Sequence, residues 1–221
     1  KMYQLAASIM CASQMNLKKE LEELEKAKIS LLHCDVMDGV FVNNLAMGPY
    51  VLEEIKANTK IPLDIHLATI KPAKYIKIFS YLQPRYISFH IETSENVRKD
   101  IETLREKGIS PSIAISPETP IRKILDYLSL VDMILMMTVN PGFAGQPFNY
   151  GVLDKLKELT EYTDQMEKPP LIEVDGNINK KTIPVLKESK ANIYVLGTSA
   201  LFNADNGSYS DKIQEIEKLL I

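Results

Sequence analysis

The stretch Leu31-Leu32-His33-Cys34-Asp35-Val36-Met37-Asp38-Gly39 is the part of the sequence that decides the fold. Its front half is apolar with polar residues at alternate positions, which is typical of a buried strand that ends in a functional site. His33 and Asp35 are two residues apart, so on a strand both side chains point to the same face. Such a pair at the C-terminal end of a strand can bind a divalent metal. A core histidine bonded to a nearby acid would produce the same pattern.

Strand-like and helix-like segments alternate along the whole chain. The predicted strands cover Leu5–Met10, Ser30–Asp35, Ile61–Leu67, Arg85–His90, Ser112–Ile115, Met133–Val139, Leu171–Asp175 and Ile193–Leu196. The predicted helices cover Leu17–Lys28, a segment after Gly48-Pro49, a segment that starts near Pro72, Ser94–Lys107, Thr119–Leu128, Val152–Thr163, Lys180–Lys187 and Ser210–Leu220. Eight such repeats with short loops predict an α/β fold, a parallel (β/α)8 TIM barrel. A doubly wound open sheet is the alternative, although it would usually carry fewer strands at this length.

Composition narrows the class of protein. The 221 residues are 45% hydrophobic and show no break that would mark a linker, so residues 1–221 are expected to form one barrel domain. A net charge of -3 with mixed signs gives no basic patch for nucleic acid. Cys11 and Cys34 sit in apolar contexts and form no disulfide framework, and no apolar run reaches membrane-spanning length. We therefore expect a cytoplasmic protein with reduced thiols that binds neither nucleic acid nor membrane.

Polar groups mark the ends of several predicted strands, where the chemistry of a TIM barrel takes place. They are Ser8, His33, Asp35, His66 and Asp175. Two imidazoles and two carboxylates form a donor set that suits Zn²⁺, Mn²⁺ or Fe²⁺ and leaves room for substrate oxygens. Each of these groups taken alone is more often structural. Asp64 and His90 lie outside this set. His90 ends the fourth strand and is a possible fifth polar group of the site, although it is interpreted as structural.

Three glycine-bearing loops indicate a phosphate site. Gly142 and Gly145 lie in the loop after the sixth strand, Gly176 follows the seventh, and Gly197-Thr198-Ser199 ends the eighth. Backbone N–H groups in such loops can approach an anion closely. In this fold the loops after strands seven and eight commonly hold a phosphate.

Six motifs, spread in order over the chain, resemble those of the ribulose-phosphate 3-epimerase family. They are Ser8-Ile9-Met10, His33-x-Asp35-Val36-Met37-Asp38-Gly39-x-Phe41-Val42, Asp64-Ile65-His66-Leu67, Met137-Thr138-Val139-Asn140-Pro141-Gly142-Phe143, Glu173-Val174-Asp175-Gly176 and Gly197-Thr198-Ser199. The resemblance implies a (β/α)8 barrel that acts on a small-molecule ketose phosphate in carbohydrate metabolism. It also makes a homo-oligomer plausible.

The resemblance also implies roles for residues. One divalent metal, Zn, Fe(II), Mn or Co, would be held by His33, Asp35, His66 and Asp175. Asp35 and Asp175 would be the catalytic acid and base, one on each face of C3, while the metal polarises the carbonyl and stabilises the enediolate. The implied substrate-binding residues are Ser8, His66, Gly142, Phe143, Ala144, Gly145, Asp175, Gly176, Asn177, Gly197, Thr198 and Ser199. Met37 and Met137 are candidates for the surrounding apolar shell, or for ordinary core packing.

Departures from the family pattern leave the substrate open. Residues common in the family are replaced by Ala7, Asn43, Ala68 and Asn177, and none of these replacements removes an acid, a base or a predicted ligand. Interconversion of D-ribulose 5-phosphate and D-xylulose 5-phosphate is the leading hypothesis, since it is the commoner activity. The alternative is 3-epimerisation between D-allulose 6-phosphate and D-fructose 6-phosphate. The segments Ser8–Cys11, Phe143–Phe148 and Gly197–Asn203 resemble that branch, and the small Ala68 would make room for a longer sugar.

Activities of other classes fit the sequence less well. Related phosphate-binding barrels that decarboxylate or perform aldol chemistry use an Asp-x-Lys-x-x-Asp arrangement, but the corresponding stretch Asp35–Asp38 contains no lysine. A non-catalytic sugar-phosphate-binding barrel would be expected to have lost at least one of the four predicted ligands, and all four are present.

Overall fold

The computed structural model describes residues 3–221, and its strands are the apolar runs of the sequence. They are β1 Gln4–Ser8, β2 Leu31–Asp38, β3 Leu45–Ala46, β4 Leu63–Ala68, β5 Tyr86–His90, β6 Ser110–Ile115, β7 Met133–Met137, β8 Leu171–Asp175 and β9 Ile193–Leu196. All but β3 are buried along most of their length, because helices cover one face of the sheet and side chains fill the barrel interior on the other.

The eight long strands close into a parallel barrel. Their order is β1-β9-β8-β7-β6-β5-β4-β2, and β1 pairs with β2 to complete the ring. Two-residue β3 adds an antiparallel pair with the end of β2. The predicted (β/α)8 TIM barrel is therefore confirmed, and the open-sheet alternative is wrong because β1 and β2 are hydrogen-bonded neighbours.

Helices cover the outside of the barrel through apolar residues at helical spacing. They are α1 Leu17–Lys26, α2 Pro49–Asn58, α3 Pro72–Phe79, α4 Val97–Glu106, α5 Val152–Thr163, α6 Ile183–Lys187 and α7 Tyr209–Leu220. In α1, for example, Leu21 and Leu24 are buried while the intervening Glu and Lys residues face solvent. None of the helices within residues 3–221 is long and apolar enough to cross a membrane.

One predicted helix is wrong. The segment Thr119–Leu128 forms two 3-10 turns, Ile121–Lys123 and Leu125–Tyr127, in place of an α-helix. Its backbone bonds join residues three apart, as from Ile124 N–H to the Ile121 carbonyl at 2.9 Å. The tighter winding still buries Ile121 and Ile124, so the segment covers β6 without a regular helix.

The helix predicted at Lys180–Lys187 begins later than expected. Side chains of the preceding loop compete for its backbone: the Asn179 carboxamide accepts from Lys181 N–H at 2.9 Å, and Asn179 N–H donates to Thr182 Oγ1 at 3.0 Å. These local bonds favour a turn over a helix. The α-helix starts only at Ile183, with Pro184 in its first turn.

Candidate active site

Three strands each present two polar side chains to the inside of the barrel at positions two residues apart. These pairs are His33 and Asp35 on β2, Asp64 and His66 on β4, and Glu173 and Asp175 on β8. The β2–β4 register places Asp35 directly beside His66. Because parallel strands end at the same edge, the second residue of each pair lies nearer the mouth of the barrel.

The four predicted ligands come together at this mouth. One ligand atom from each of His33, Asp35, His66 and Asp175 lies within 4.8 Å of the others. His33 Nε2 is 3.5 Å from Asp35 Oδ1 and 3.3 Å from Asp175 Oδ2. The separation between His66 Nδ1 and Asp35 Oδ1 is 2.8 Å.

A buried ring nitrogen shows that the site fits a cation. His33 Nε2 has no hydrogen-bond partner among residues 3–221, although its ring is fully buried. On the other side of the ring, Nδ1 lies 2.7 Å from Asp64 Oδ2, and a carboxylate there accepts the Nδ1 proton. With Nδ1 held in this way, Nε2 faces the two carboxylates, which is the usual arrangement of a histidine that ligates a metal once a cation has displaced any proton from Nε2. Two imidazoles and two carboxylates suit Zn²⁺, Mn²⁺, Fe²⁺ or Co²⁺.

Asp35 is the more deeply buried of the two carboxylates at the mouth. Its side chain is 4% exposed, against 17% for Asp175. Burial raises the pKa of Asp35, but the charge and hydrogen bond of His33 outweigh burial and hold that pKa well below its usual range. Ser8 Oγ also donates to Asp35 Oδ2 at 3.4 Å. Asp35 is therefore an anion and can bind a cation.

A second layer of acids lies beneath the first, and the sequence prediction missed it. Glu173 is fully buried, with Oε1 3.6 Å from His33 Nδ1. Burial and the neighbouring charge of Asp64 raise the pKa of Glu173 well above its usual value, which favours the neutral acid. Asp64, which the sequence prediction left outside the ligand set, holds the ring of His33. The two-residue spacing that links His33 to Asp35 also links Asp64 to His66 and Glu173 to Asp175, and it was the signal available for both acids.

His90 also belongs to the site, although the sequence left it as structural. His90 Nε2 lies 2.8 Å from His66 Nε2, and His90 Nδ1 lies 3.2 Å from Glu92 Oε2. Glu92 was not singled out from the sequence. Burial raises the pKa of Glu92, but its hydrogen bonds with His90 and with the Ser116 N–H lower it to about 2. Glu92 is therefore a carboxylate at neutral pH.

A cavity of about 590 Å³, open to solvent, lies above the four ligands. All twelve predicted substrate-binding residues line it: Ser8, His66, Gly142, Phe143, Ala144, Gly145, Asp175, Gly176, Asn177, Gly197, Thr198 and Ser199. Met10, Met37 and Met137 also line the cavity, which places both methionines expected in an apolar shell beside the site. The glycine loops therefore form one side of the cavity, and the ligand set lies at its base.

The loop after β8 requires its unusual backbone. Gly176 has φ +129°, and a Cβ added there would lie 2.6 Å from Val139 Cγ2 and 2.8 Å from Val139 N. The next residue, Asn177, is also left-handed at φ 53°. Its side-chain oxygen accepts from Asn179 Nδ2 at 2.8 Å, and that nitrogen lies 3.2 Å from Ser199 Oγ. The Asn179 side chain thus links Asn177 to the loop after β9.

Solved structures of several phosphate-handling enzymes share this fold. Orotidine 5'-phosphate decarboxylase from Pyrococcus horikoshii OT3 matches with a TM-score of 0.67 at 12% identity, covering 98% of this chain and 99% of that one. N-(5'-phosphoribosyl)anthranilate isomerase from Pyrococcus furiosus matches with a TM-score of 0.61 at 17% identity, covering 99% and 98%. At such low identity these likenesses support the barrel fold alone.

Comparison of amino-acid sequences is more specific about the family than comparison of folds. The ribulose-phosphate 3 epimerase family model matches residues 4–202. A ribulose-phosphate 3-epimerase of Bacillus subtilis is 37% identical over 205 residues, covering 92% of this chain and 94% of its own length. One from Helicobacter pylori strain J99 is 34% identical over 216 residues, covering 98% and 99%. With its motifs in place on a TIM barrel, the chain belongs to the ribulose-phosphate 3-epimerase family and is an epimerase, an enzyme of the isomerase class.

Proposed function

We propose that the protein interconverts D-ribulose 5-phosphate and D-xylulose 5-phosphate by moving a proton at C3. The names of its curated relatives support a pentose phosphate as substrate. The observation that carries the mechanism is the approach of both Asp35 and Asp175 to His33 Nε2, in one donor set beside the cavity.

The metal-holding residues would be His33 through Nε2, His66 through Nδ1, and the carboxylates of Asp35 and Asp175. A divalent cation bound there would supply Lewis-acid polarisation of the C2 carbonyl, which acidifies the proton at C3. Zinc, iron(II), manganese and cobalt all accept this mixture of nitrogen and oxygen donors.

The two carboxylates divide the proton transfer. Epimerisation removes a proton from one face of C3 and returns a proton to the other, and a single fixed base cannot reach both faces. Asp35 and Asp175 come from β2 and β8, which are separated in the ring by β1 and β9. A sugar lying across the mouth would therefore have one carboxylate on each side. Which carboxylate acts as the base depends on the direction of the reaction.

The glycine loops would bind the phosphate. Gly176, Gly197 and Ser199 lie in two neighbouring loops that line the cavity, and exposed backbone N–H groups there can donate to phosphate oxygens. Binding the phosphate at a distance from C3 positions the sugar and contributes binding energy to the reacting centre. The methionines on the cavity wall exclude water from the carbon being deprotonated.

Epimerisation of D-allulose 6-phosphate to D-fructose 6-phosphate is the alternative, and it rests on the likeness of the loop segments Phe143–Phe148 and Gly197–Asn203 to that branch. Ala68 gives it little support. This side chain is completely buried in a cluster with Met37 and Val42, and it does not line the cavity. Its small volume therefore does not by itself lengthen the sugar site.

Proton exchange measured by NMR tests the function and separates the two substrates. The zinc-loaded protein is incubated in D₂O with each ketose phosphate, and the C3 proton and the epimer are followed. We expect faster exchange and epimer formation with D-ribulose 5-phosphate. Asp175→Asn should slow both by about 10²- to 10⁴-fold, because it removes one acid–base group.

Asp154→Asn is the matched control, since this carboxylate is exposed in the first turn of α5, away from the cavity. This variant should exchange the C3 proton at the wild-type rate. A clear preference for D-allulose 6-phosphate would replace the leading substrate with the alternative. No exchange with either sugar in a folded, metal-loaded protein would refute the epimerase mechanism.

A further inference from the structure

We propose that His90 and Glu92 are positioning residues: they form a hydrogen-bonded relay that keeps the proton of His66 on Nε2 and so leaves Nδ1 free to bind the cation. The inference rests on the metal site of the proposed function, and it adds two residues to that site. It follows from counting the protons on three imidazole rings.

The relay begins at the Glu92 carboxylate, which two hydrogen bonds hold in place. Glu92 Oε1 accepts from Ser116 N–H at 2.6 Å and from Thr119 Oγ1 at 3.0 Å, while Oε2 lies 3.2 Å from His90 Nδ1. A carboxylate can only accept, so His90 must carry a proton on Nδ1. The backbone N–H of Ser116 ties the carboxylate to the loop after β6.

The middle of the relay is the contact between two rings. His66 Nε2 and His90 Nε2 are 2.8 Å apart, so one of them donates and the other accepts. His90 is fully buried, with the ring of Phe41 centred 4.8 Å from its own, which disfavours a charged imidazole. A neutral His90 with its proton on Nδ1 accepts at Nε2. When a cation binds His66 Nδ1, the remaining ring proton is on Nε2, and His66 is then the donor in this contact.

The far end of the relay faces the metal site. His66 Nδ1 lies 2.8 Å from Asp35 Oδ1, so Asp35 competes with His90 for the proton of a neutral His66. A proton on Nδ1 would block a cation, and a proton on Nε2 leaves the Nδ1 lone pair free. By accepting at Nε2, His90 favours the tautomer that binds metal. His33 is held the opposite way, since Asp64 contacts its Nδ1 directly and leaves Nε2 free.

Glu92→Gln should reverse the relay while keeping its shape. The Ser116 N–H still requires an oxygen, so the new carboxamide should turn its NH₂ group towards His90 Nδ1. His90 must then accept at Nδ1 and carry its proton on Nε2, which it donates to His66. His66 is left with its proton on Nδ1, where Asp35 accepts it. A cation could then bind His66 Nδ1 only after the proton on that nitrogen was displaced and these hydrogen bonds were reversed.

The test combines ¹⁵N NMR of the imidazoles with zinc affinity. The chain has three histidines, all in this site, so long-range ¹H–¹⁵N spectra of histidine-labelled protein resolve each tautomer. In metal-free wild type we expect the His90 proton on Nδ1, and in Glu92→Gln on Nε2. Zinc affinity, measured by competition with a chelator, should fall about 10- to 100-fold in Glu92→Gln.

Glu95→Gln is the matched control because it removes the same charge from the same exposed loop. It should leave both the His90 tautomer and the zinc affinity as in wild type. A wild-type His90 proton on Nε2 would overturn the relay, and this measurement needs no variant to fold. Equal zinc affinity in Glu92→Gln and Glu95→Gln would also overturn it. Because the His90 tautomer is read without metal, a wild type that bound no zinc would count against the proposed function separately.

Discussion

At the scale of single residues, the histidines show how one side-chain type is used in two orientations. His33 and His66 have ring centres 5.5 Å apart, and both face the space between Asp35 and Asp175. One ring is held at Nδ1 by a carboxylate and the other at Nε2 by a third histidine. The partner behind each ring thus determines which nitrogen is available. Residues behind the ligands matter for this reason, although they do not touch substrate.

Gly176 is predicted to tolerate no side chain. Gly176→Ala should lower the free energy of unfolding by about 2–4 kcal/mol, because the new Cβ meets Val139 and the backbone stays left-handed. Gly145→Ala is the control: its φ is +80°, but nothing lies within 4 Å of the added Cβ. That change should cost about 1–2 kcal/mol, from the backbone alone. Urea unfolding of both variants checks the difference, and equal losses would show that the Val139 contact does not matter.

At the scale of elements, strands position the chemistry and helices only need to cover them. Six of the inward polar side chains come from β2, β4 and β8, each strand contributing two residues of the same face. The segment 121–127 shows that the covering layer is less constrained, since two 3-10 turns serve there in place of a helix. A strand shifted by one residue would turn both of its site residues to the outside, whereas a helix can be replaced by any segment that buries its apolar side chains.

The last helix depends on its capping box. Ser208 Oγ accepts from Asp211 N–H at 3.2 Å, and the Asp211 carboxylate accepts from Ser208 N–H at 2.8 Å. Ser208→Ala should therefore lower the free energy of unfolding by about 1 kcal/mol. Ser210→Ala, inside the same helix, should be neutral or slightly stabilising because alanine is the better helix former. Thermal and urea unfolding compare the two, and a neutral Ser208→Ala would contradict the cap's importance.

At the scale of the whole molecule, closure of the barrel creates the donor set. Of the three contributing strands, β2 and β4 are neighbours in the sheet. The pairing of β1 with β2 closes the ring and so leaves only two strands between β8 and β2. A cation bound by ligands from all three strands would link distant parts of the chain. Metal binding and stability are therefore expected to be coupled.

Zinc is predicted to stabilise the fold by an amount that grows with pH. Burial lowers the pKa of His33, but the charges of Asp35, Asp64 and Asp175 outweigh burial and raise it well above its usual value. In the metal-free fold this protonated ring is stabilising at low pH, and the stabilisation is lost as pH rises through the raised pKa. Zinc must displace that proton, so its net effect should be larger at about pH 8 than at about pH 6.

Thermal unfolding with zinc and with a chelator, at both pH values, measures this effect. Free zinc at about 100 times its dissociation constant should add about 2.7 kcal/mol to the free energy of unfolding. His66→Gln should lose most of this gain, while Asp154→Asn should retain it. A gain that increased as pH fell would contradict the competition between zinc and the His33 proton.

The homo-oligomer expected from the family resemblance stays a prediction. Light scattering after size-exclusion chromatography should give a mass that is a multiple of the single chain's. The surface around the mouth carries exposed apolar side chains that an interface would cover, Val40 and Leu45 among them. A mass equal to one chain across a range of protein concentrations would show that this expectation is wrong.

The amino-acid sequence by itself determined the barrel and was enough to predict four ligands that the fold brings together. Apolar runs alternating with helical patterns are local signals, and a two-residue spacing on a strand is enough to place His33 beside Asp35. The tertiary structure decided what stands behind these residues. Asp64 and Glu173 share the two-residue spacing of the predicted ligands, and so do His90 and Glu92, but the sequence does not show which groups these side chains contact on neighbouring strands and loops. Hydrogen bonds between neighbouring strands depend on register and ring closure, and these arise only when the whole sheet has formed.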